Sequence, residues 1–516
     1  MQQDFSSNNK RIARNTLLLY FRMIIVLFVS LYTSRIILKA LGVEDFGIYN
    51  AVGGMVAMLS MLTGSLSVAT SRFITYELGN KNSKRRRDVF SMSINLMIIV
   101  SIVIVVFGET LGLWFLNNKM TIPETRCNAA NIVYQLSLLT FVFNILSVPY
   151  NASIIAHEKM KIFAYVGVVE VVCKLAIALY LIDAFLDKLI VYSLLLLLLA
   201  ILIRLFYASY CKKKLKECTY HFTWNLNLCK EMFTFAGWNF LGASTSILRD
   251  HGTNVMMNVF FGPAINASRG LSMQVNSAIN SFVQNFIMAI NPQITKSYAE
   301  DNIERTVFLA LKGMKLSFLF LIIITFPVFF LTPFLLKLWI DVVPDHSVSF
   351  IRMILCFTLI ESLSNPYITV IFAIGKLKKN QIIIGTLQVL SFFLTYLSYK
   401  LASVPEMAYF FAIITSAICF MVRLKILKEL IDFPIMKAIT ILSKNIAPVT
   451  IIVAVSLFVA HVYNLDIIFS FRDFVFKLIL SLLFIVIVVS FIGLSREESV
   501  YIWRLLKNKF IQPGHK

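Results

Sequence analysis

The chain has 516 residues, 58% hydrophobic and only 15% charged, with a mean hydropathy of +0.79. A water-soluble protein of this length needs far more polar surface, so the soluble and disordered classes are excluded and most of the surface must face lipid. The net charge of +21 invites a nucleic-acid reading, but the placement of the charges along the chain argues against one.

Basic Lys10, Arg11 and Arg14 precede the first apolar stretch, with no cleavable-looking signal peptide before it. Hydropathy predicts fourteen membrane helices, at about 14–39, 47–74, 89–115, 128–155, 162–182, 189–211, 231–257, 264–294, 307–332, 347–373, 381–401, 407–427, 445–463 and 474–494. Each is near the roughly 20 residues that cross a bilayer. Lys and Arg cluster in alternate connections: "KNSKRRR" (81–87), "KKKLK" (212–216), "KLKK" (376–379) and the tail from Arg496. This is the positive-inside pattern, in which basic loops resist translocation and meet anionic headgroups. It places both termini in the cytoplasm and makes the basicity topological, with membrane lipids rather than nucleic acid as partners. The seven cysteines form no disulfide framework, since Cys127 alone lies in an outside loop. Cys211, Cys218, His221 and Cys229 share one inside loop without a C-x2-C spacing, so free thiols and no metal site are expected.

The phrase "LSVPYNASIIAHEKMK" (146–161) returns as "LSNPYITVIFAIGKLK" (363–378), with eight of sixteen positions identical. A shift of 220 residues also lays Lys10 on Lys230, Gly42 on Gly262, Ile74 on Ile294 and Thr75 on Thr295. These matches predict a duplication of six spans. Six is even, so both copies enter the membrane in the same direction, as a parallel repeat about the membrane normal. The expected fold is all-α and polytopic: an N-terminal lobe at 1–217, a C-terminal lobe at 218–440, and two further spans with a basic tail at 441–516. In such proteins substrate binds at the interface of the repeats and rocking exposes it alternately. Pro149 and Pro366 sit alike in spans 4 and 10, where each removes a helical hydrogen bond and is expected to kink its helix around a cavity.

Ionisable groups within a bilayer are costly and usually face a cavity or a partner. Seven cations lie at such depth, Arg22, Arg72, Lys174, Arg204, Arg249, Arg269 and Arg352, against four carboxylates, Glu109, Glu170, Asp250 and Glu361. Glu170 and Lys174 stand four apart with the acid first, the favourable ion-pair order. Arg72 and Arg204 are near enough to the headgroups to snorkel. Arg22, Arg249 and Arg269 lie deeper, on spans expected to line a cleft, where a guanidinium fork matches phosphate oxygens. The alternative for these is internal pairing, such as Arg22 with Asp250. Polar stretches at 64–71 and 276–285 serve either as interhelical glue or as hydroxyl-binding groups for a sugar.

"LYTSRIILKALGVEDFGIYNAV" (31–52), "SRFITYELG" (71–79) and the basic loop that follows resemble the start of bacterial polysaccharide-export flippases. These belong to the superfamily that also holds the multidrug-and-toxin exporters and the lipid II flippase. The resemblance implies a two-lobed fourteen-helix fold in the inner membrane that moves an undecaprenyl-diphosphate-linked oligosaccharide, such as an O-antigen unit of lipopolysaccharide, to the periplasmic leaflet. It implies a cationic lumen, with Arg22 and Arg72 on the early spans and Arg249 and Arg269 on the second lobe. Drug exporters of the superfamily usually rely on carboxylates in the first or seventh span. Span 1 here has none, and span 7 has only Asp250, beside an arginine. A cation-coupled exporter of small amphiphiles is the alternative; a membrane polymerase or ligase lacks the large catalytic outside loop expected of it. No catalytic residues and no cofactor are expected, a coupling ion (H+ or Na+) stays open with Asp250, Glu361, Glu170 and Lys174 as candidates, and other polysaccharide-assembly proteins are conceivable partners.

Overall fold

The computed structural model describes residues 2–58, 60–80, 82–119, 122–339, 343–402, 404–463, 470–495 and 498. Asp341 and all of the basic tail except Glu498 lie outside the described residues, as do the side chains of Lys10 and His251. The helices are α1 (Gln2–Met58), α2 (Ser60–Gly79), α3 (Ser83–Phe107), α4 (Leu113–Lys119), α5 (Cys127–Ala156), α6 (Met160–Tyr180), α7 (Lys188–Lys214) and α8 (Leu226–Ile247). They continue as α9 (Thr253–Ala299), α10 (Ile303–Trp339), α11 (Ser347–Ile374), α12 (Leu377–Ala402), α13 (Met407–Ile431), α14 (Ile435–Ile441), α15 (Ala447–Val462) and α16 (Phe471–Val488). Among the described residues there is no strand, and the fold is the expected all-α, polytopic one. Eleven helical segments are long and apolar enough to cross a membrane. Spans 2, 7 and 8 are also helical but more polar, carrying Ser65, Ser67, Thr70, Ser246, Asp250, Asn276 and Asn280.

Two boundaries differ from expectation. Helical bonding runs through the first connection, interrupted only at Gly42, whose φ of 80° and ψ of 171° mark a sharp bend. Only glycine takes such a backbone cheaply. Span 7 is broken at Leu248–Gly252 by a π-helical turn, after which α9 continues without a break into span 8.

The chain divides into two compact units: unit 1 holds Met1–Ala243, Met288–Asn302 and Phe372–Leu377, and unit 2 the remainder. In unit 1, α5 is central, packed on α1, α2, α3 and α7, while α1 lies along α6. Ile36 and Ile37 meet Ala178, Leu181 and Tyr192 there, with the Tyr49 ring edge-on to Tyr192 at 4.9 Å. Arg126 ties three segments by donating to Asp45 Oδ1 at 2.8 Å and Asp187 Oδ2 at 2.6 Å. Asp187 also caps α7 through the N–H groups of Leu189 and Ile190. In unit 2 a core of Met256, Met257, Phe350, Ile354, Phe357, Tyr399 and Tyr409 joins α9, α11, α12 and α13, and α10 packs on α16.

The repeated phrase builds the same turn twice. Both copies are helices that continue through their prolines, Pro149 in α5 and Pro366 in α11, and both end on a left-handed residue at the same place in the repeat: Glu158 (φ 55°) and Gly375 (φ 84°). After α5, Lys159 N–H bonds Ile154 O at 3.0 Å and Glu158 N–H bonds Ile155 O at 2.8 Å, the paired closure of a Schellman turn. Glycine is the cheap residue there, and glutamate holds the position because its buried carboxylate has partners. Gln293 Nε2 donates to it at 2.6 Å and Lys296 Nζ at 3.1 Å. At the other turn Arg72 donates from Nε to Phe372 O (3.1 Å) and from Nη2 to Ala373 O (2.9 Å), a cation on the negative end of α11.

Candidate functional site

Unit 2 contains a cavity of about 190 Å³ whose lining includes Arg249, Asp250, Arg269, Asn276, Glu361 and Tyr409. That is room for about six waters at the volume each takes in the liquid.

The π turn at Leu248–Gly252 builds one wall. Such a turn widens the helix by one residue, and π turns recur at functional sites. Arg249 forks onto its own sequence neighbour, Nε to Asp250 Oδ1 at 2.8 Å and Nη2 to Oδ2 at 3.2 Å. Its guanidinium lies 5.0 Å from the centre of the Phe357 ring. Gly252 is required by packing, because a Cβ there would fall 2.5 Å from the Phe392 ring.

Arg269, on α9, has another environment. Only 5% exposed, it donates Nη2 to the backbone oxygen of Asp250 at 3.0 Å and lies 5.5 Å from the Tyr409 ring centre. Its buried Nε has no hydrogen-bond partner, and among the described residues no carboxylate forms a salt bridge with it. Tyr409 is held by Ser272, hydroxyl to hydroxyl at 2.6 Å.

Glu361 on α11 shares a helix face with Ile354 and Phe357, and its charge is felt by Arg249, Asp250 and Arg423. Two cations and two carboxylates thus line the cavity. Asp250 answers Arg249, Glu361 is shared with Arg423, and Arg269 is the cation left without a carboxylate partner among the described residues. The remaining lining is rich in hydroxyls and amides. Thr358 donates to Asn276 Oδ1 at 2.6 Å and Asn280 to the same oxygen at 3.1 Å, while Ser391 and Thr395 come from α12.

The structure therefore brings together Arg249, Asp250, Arg269 and Glu361, and places the other predicted residues elsewhere. Asp250 takes Arg249 as its partner. Arg22 belongs to unit 1, where it lies 4.5 Å from the Phe163 ring centre and in the electrostatic reach of Tyr207 and Glu170. Gly167 makes its room: a Cβ at that position would meet Arg22 Nε at 2.2 Å. Arg72 does not snorkel, because it is consumed by the carbonyls at the end of α11. Glu170 and Lys174 form the ion pair their spacing predicts, at 2.7 Å. Arg204 lies 4.2 Å from the Tyr150 ring centre, Arg352 lies over Phe329, and Glu109 accepts from Gln135 at 3.0 Å. His221, on the loop considered for metal, is engaged with Ser91 and Asp88.

Sequence reasoning missed Arg423, whose Nε is buried without a hydrogen-bond partner. It stands four residues after Cys419, near enough to the basic end of span 12 to read as an interfacial charge. The signal that could have found it is its position on the same helix face as Cys419 and Tyr409.

No curated protein matches the chain. Among solved structures, a MATE transporter in its bent conformation superposes with a TM-score of 0.70 at 14% identity, over 81% of this chain and 94% of that one. A variant of the Vibrio cholerae MATE transporter VcmN gives 0.65 at 16%, over 82% and 98%. A MOP superfamily transporter from Pyrococcus furiosus, described as having a binding pocket of reverse polarity that suggests a different function, gives 0.67 at 14%, over 80% and 94%. At these identities the likeness is one of fold. The family model for polysaccharide biosynthesis proteins matches residues 12–298, more than half of the chain, and the chain belongs to that family.

Proposed function

We propose that this membrane transporter is a flippase for a polyprenyl-diphosphate-linked oligosaccharide, taking it from the cytoplasmic to the periplasmic leaflet of the inner membrane, and that it performs no covalent chemistry. The observation that carries the reading is Arg269: a buried guanidinium at a cavity wall, hydrogen-bonded to a neutral carbonyl, with Nε still unpaired. A phosphate or an acidic sugar supplies the charge and the acceptors that this group lacks. The hydroxyls and amides of the lining offer a sugar both donors and acceptors. The family description supports the substrate class, and the positive-inside pattern supports cytoplasmic termini. Drug export coupled through a carboxylate is less well supported, because Asp250 is held by Arg249 and Glu361 is shared between Arg249 and Arg423.

The test is the replacement of Arg269 by Ala and by Lys in the native host, with membrane protein levels matched and lipid-linked oligosaccharide assayed in each leaflet. Arg269→Ala is expected to cut export at least about ten-fold, as for a lost buried ionic contact, with intermediate accumulating on the cytoplasmic side, and Arg269→Lys to restore part of it. Undiminished export by both variants would sink the reading and turn the search to small amphiphiles.

A further inference from the structure

Residues 215–225 connect α7 to α8 without a helix, and they form a two-faced strap. One face is bound to a polar stripe of α3. Arg87 Nε donates to Thr219 O at 3.3 Å, His221 Nε2 lies 3.0 Å from Asp88 Oδ1, and His221 Nδ1 lies 2.9 Å from Ser91 Oγ. Asn95 Nδ2 donates to Thr223 O at 2.8 Å, and the Tyr220 hydroxyl donates to Asn95 Oδ1 at 3.0 Å. Residues 88, 91 and 95 follow the helical repeat, so one face of α3 receives the whole strap. Thr219 and Thr223 are held through their carbonyls and Tyr220 and His221 through their side chains, while between and after them Phe222 (77% exposed), Trp224 (47%) and, where α8 begins, Leu226 (70%) stand exposed.

These apolar side chains have a cationic rim. Lys84, Arg85 and Arg87 on α3, Lys212, Lys213 and Lys214 at the end of α7, and Lys216 on the strap are all exposed. Aromatic rings beside a Lys/Arg cluster at the ends of membrane helices match the boundary between headgroups and acyl chains, where the ring takes the apolar side and the cations take the phosphates. The strap links the end of α7 to the start of α8 and is bonded to the start of α3.

We infer that the 215–226 strap is an interfacial lipid-binding surface, with Phe222, Trp224 and Leu226 seated at the top of the acyl chains and the rim cations on the headgroups of anionic phospholipid. The hydrogen bonds to α3 hold the backbone so that the aromatic row cannot turn back into the protein.

The measurement uses the full-length chain, with Trp224 as the sole tryptophan (Trp114, Trp238, Trp339 and Trp503 replaced by Phe), in vesicles whose lipids carry bromine near the top or near the end of the acyl chain. The expected result is Trp224 emission quenched roughly two-fold by shallow bromines and less by deep ones, as for a ring held at the interface. Brominated phosphatidylglycerol should quench more than brominated phosphatidylcholine at equal mole fraction. Replacing Lys212, Lys213, Lys214 and Lys216 by Gln should erase the difference between the two lipids while leaving shallow quenching in place. Emission insensitive to every bromine but open to aqueous acrylamide would overturn the proposal in favour of a solvated loop. Emission shielded from both quenchers would overturn it in favour of a protein partner covering the strap, and equal quenching by the two lipids before the Gln replacements would overturn the anionic preference.

Discussion

Arginine within the spans is the residue this chain uses most distinctively, and six of these arginines are seated on aromatic rings. Arg22 lies by Phe163, Arg72 by Phe73, Tyr76 and Phe235, Arg204 by Tyr150, Arg249 by Phe357, Arg269 by Tyr409 and Arg352 by Phe329. Six of the seven intramembrane cations named from the sequence thus have a ring face within 6 Å, the range in which a ring quadrupole attracts a cation. Replacing Phe163 by Leu keeps the volume close and removes the ring, and is expected to cost about 1 kcal/mol, read as a lowered thermal midpoint in detergent. Gly167→Ala should cost more, because its methyl occupies the space of Arg22 Nε. The existence of these cations was legible in the sequence, but their hosts were not. With 45 phenylalanines in the chain, composition points to lipid contact, and only packing shows which rings carry a charge. The same limit explains why Arg22 and Arg249 looked alike as sequence and differ as structure, one lodged beside Gly167 and Glu170 and the other forked onto Asp250.

At the scale of elements, π turns and left-handed ends are where helices meet side chains. Three π turns offer a carbonyl that a side chain answers: Tyr134 donates to Gly108 O at 2.8 Å, Arg269 to Asp250 O at 3.0 Å, and Asn445 to Gly493 O at 3.1 Å. Hydropathy is blind to such turns, because one extra residue leaves the apolar composition of a span unchanged. The repeated phrase, in contrast, was legible and did predict twin helix ends. Its sixteen residues could not reveal what holds each turn, since the clasps Arg72, Gln293 and Lys296 lie far away in sequence. Glu158→Gln should lower stability by roughly 3 kcal/mol by leaving Lys296 without its buried partner. Glu158→Gly loses the same contacts but should recover about 1 kcal/mol of left-handed strain, so its thermal midpoint is expected above that of Glu158→Gln. Gly375→Ala meets both obstacles at once, a φ of +84° and a Cβ 2.7 Å from Arg72 Nη2, and is expected to be the most damaging of the three. A midpoint for Gly375→Ala equal to wild type would refute this account of the turn.

For the whole molecule, the all-α polytopic class was readable because lipid imposes a composition and a length on every crossing helix. The cavity was readable only in part, since its shape depends on which faces of α9, α11, α12 and α13 meet. Orientation yields a direct check. A variant retaining Cys127 as its one cysteine is expected to react with an impermeant maleimide in intact spheroplasts, and one retaining Cys229 only after lysis; the reverse pattern would invert the topology. The Arg126 cluster adds a pH dependence at the end that Cys127 marks. Burial opposes the Asp187 carboxylate, but the Arg126 hydrogen bond and the N–H groups of Ile190 and Leu189 outweigh it and hold its pKa below the usual 3.8. A depressed carboxylate stabilises the fold above its unfolded pKa, and that contribution is lost as pH falls through the folded value. Thermal midpoints should therefore fall below about pH 4 in the wild type, with a smaller fall in Arg126→Ala, which starts from a lower midpoint.

The two turns that close the repeated phrase have one further consequence. The glycine turn is clasped through backbone oxygens, so the side chain that holds it is the distant Arg72. The glutamate turn is clasped through a side chain of its own, so a substitution such as Glu158→Gln removes its charge while leaving the backbone alone. The two ends are alike in backbone and unlike in what loosens them: one answers to a residue far away in sequence, the other to a change on the turn itself.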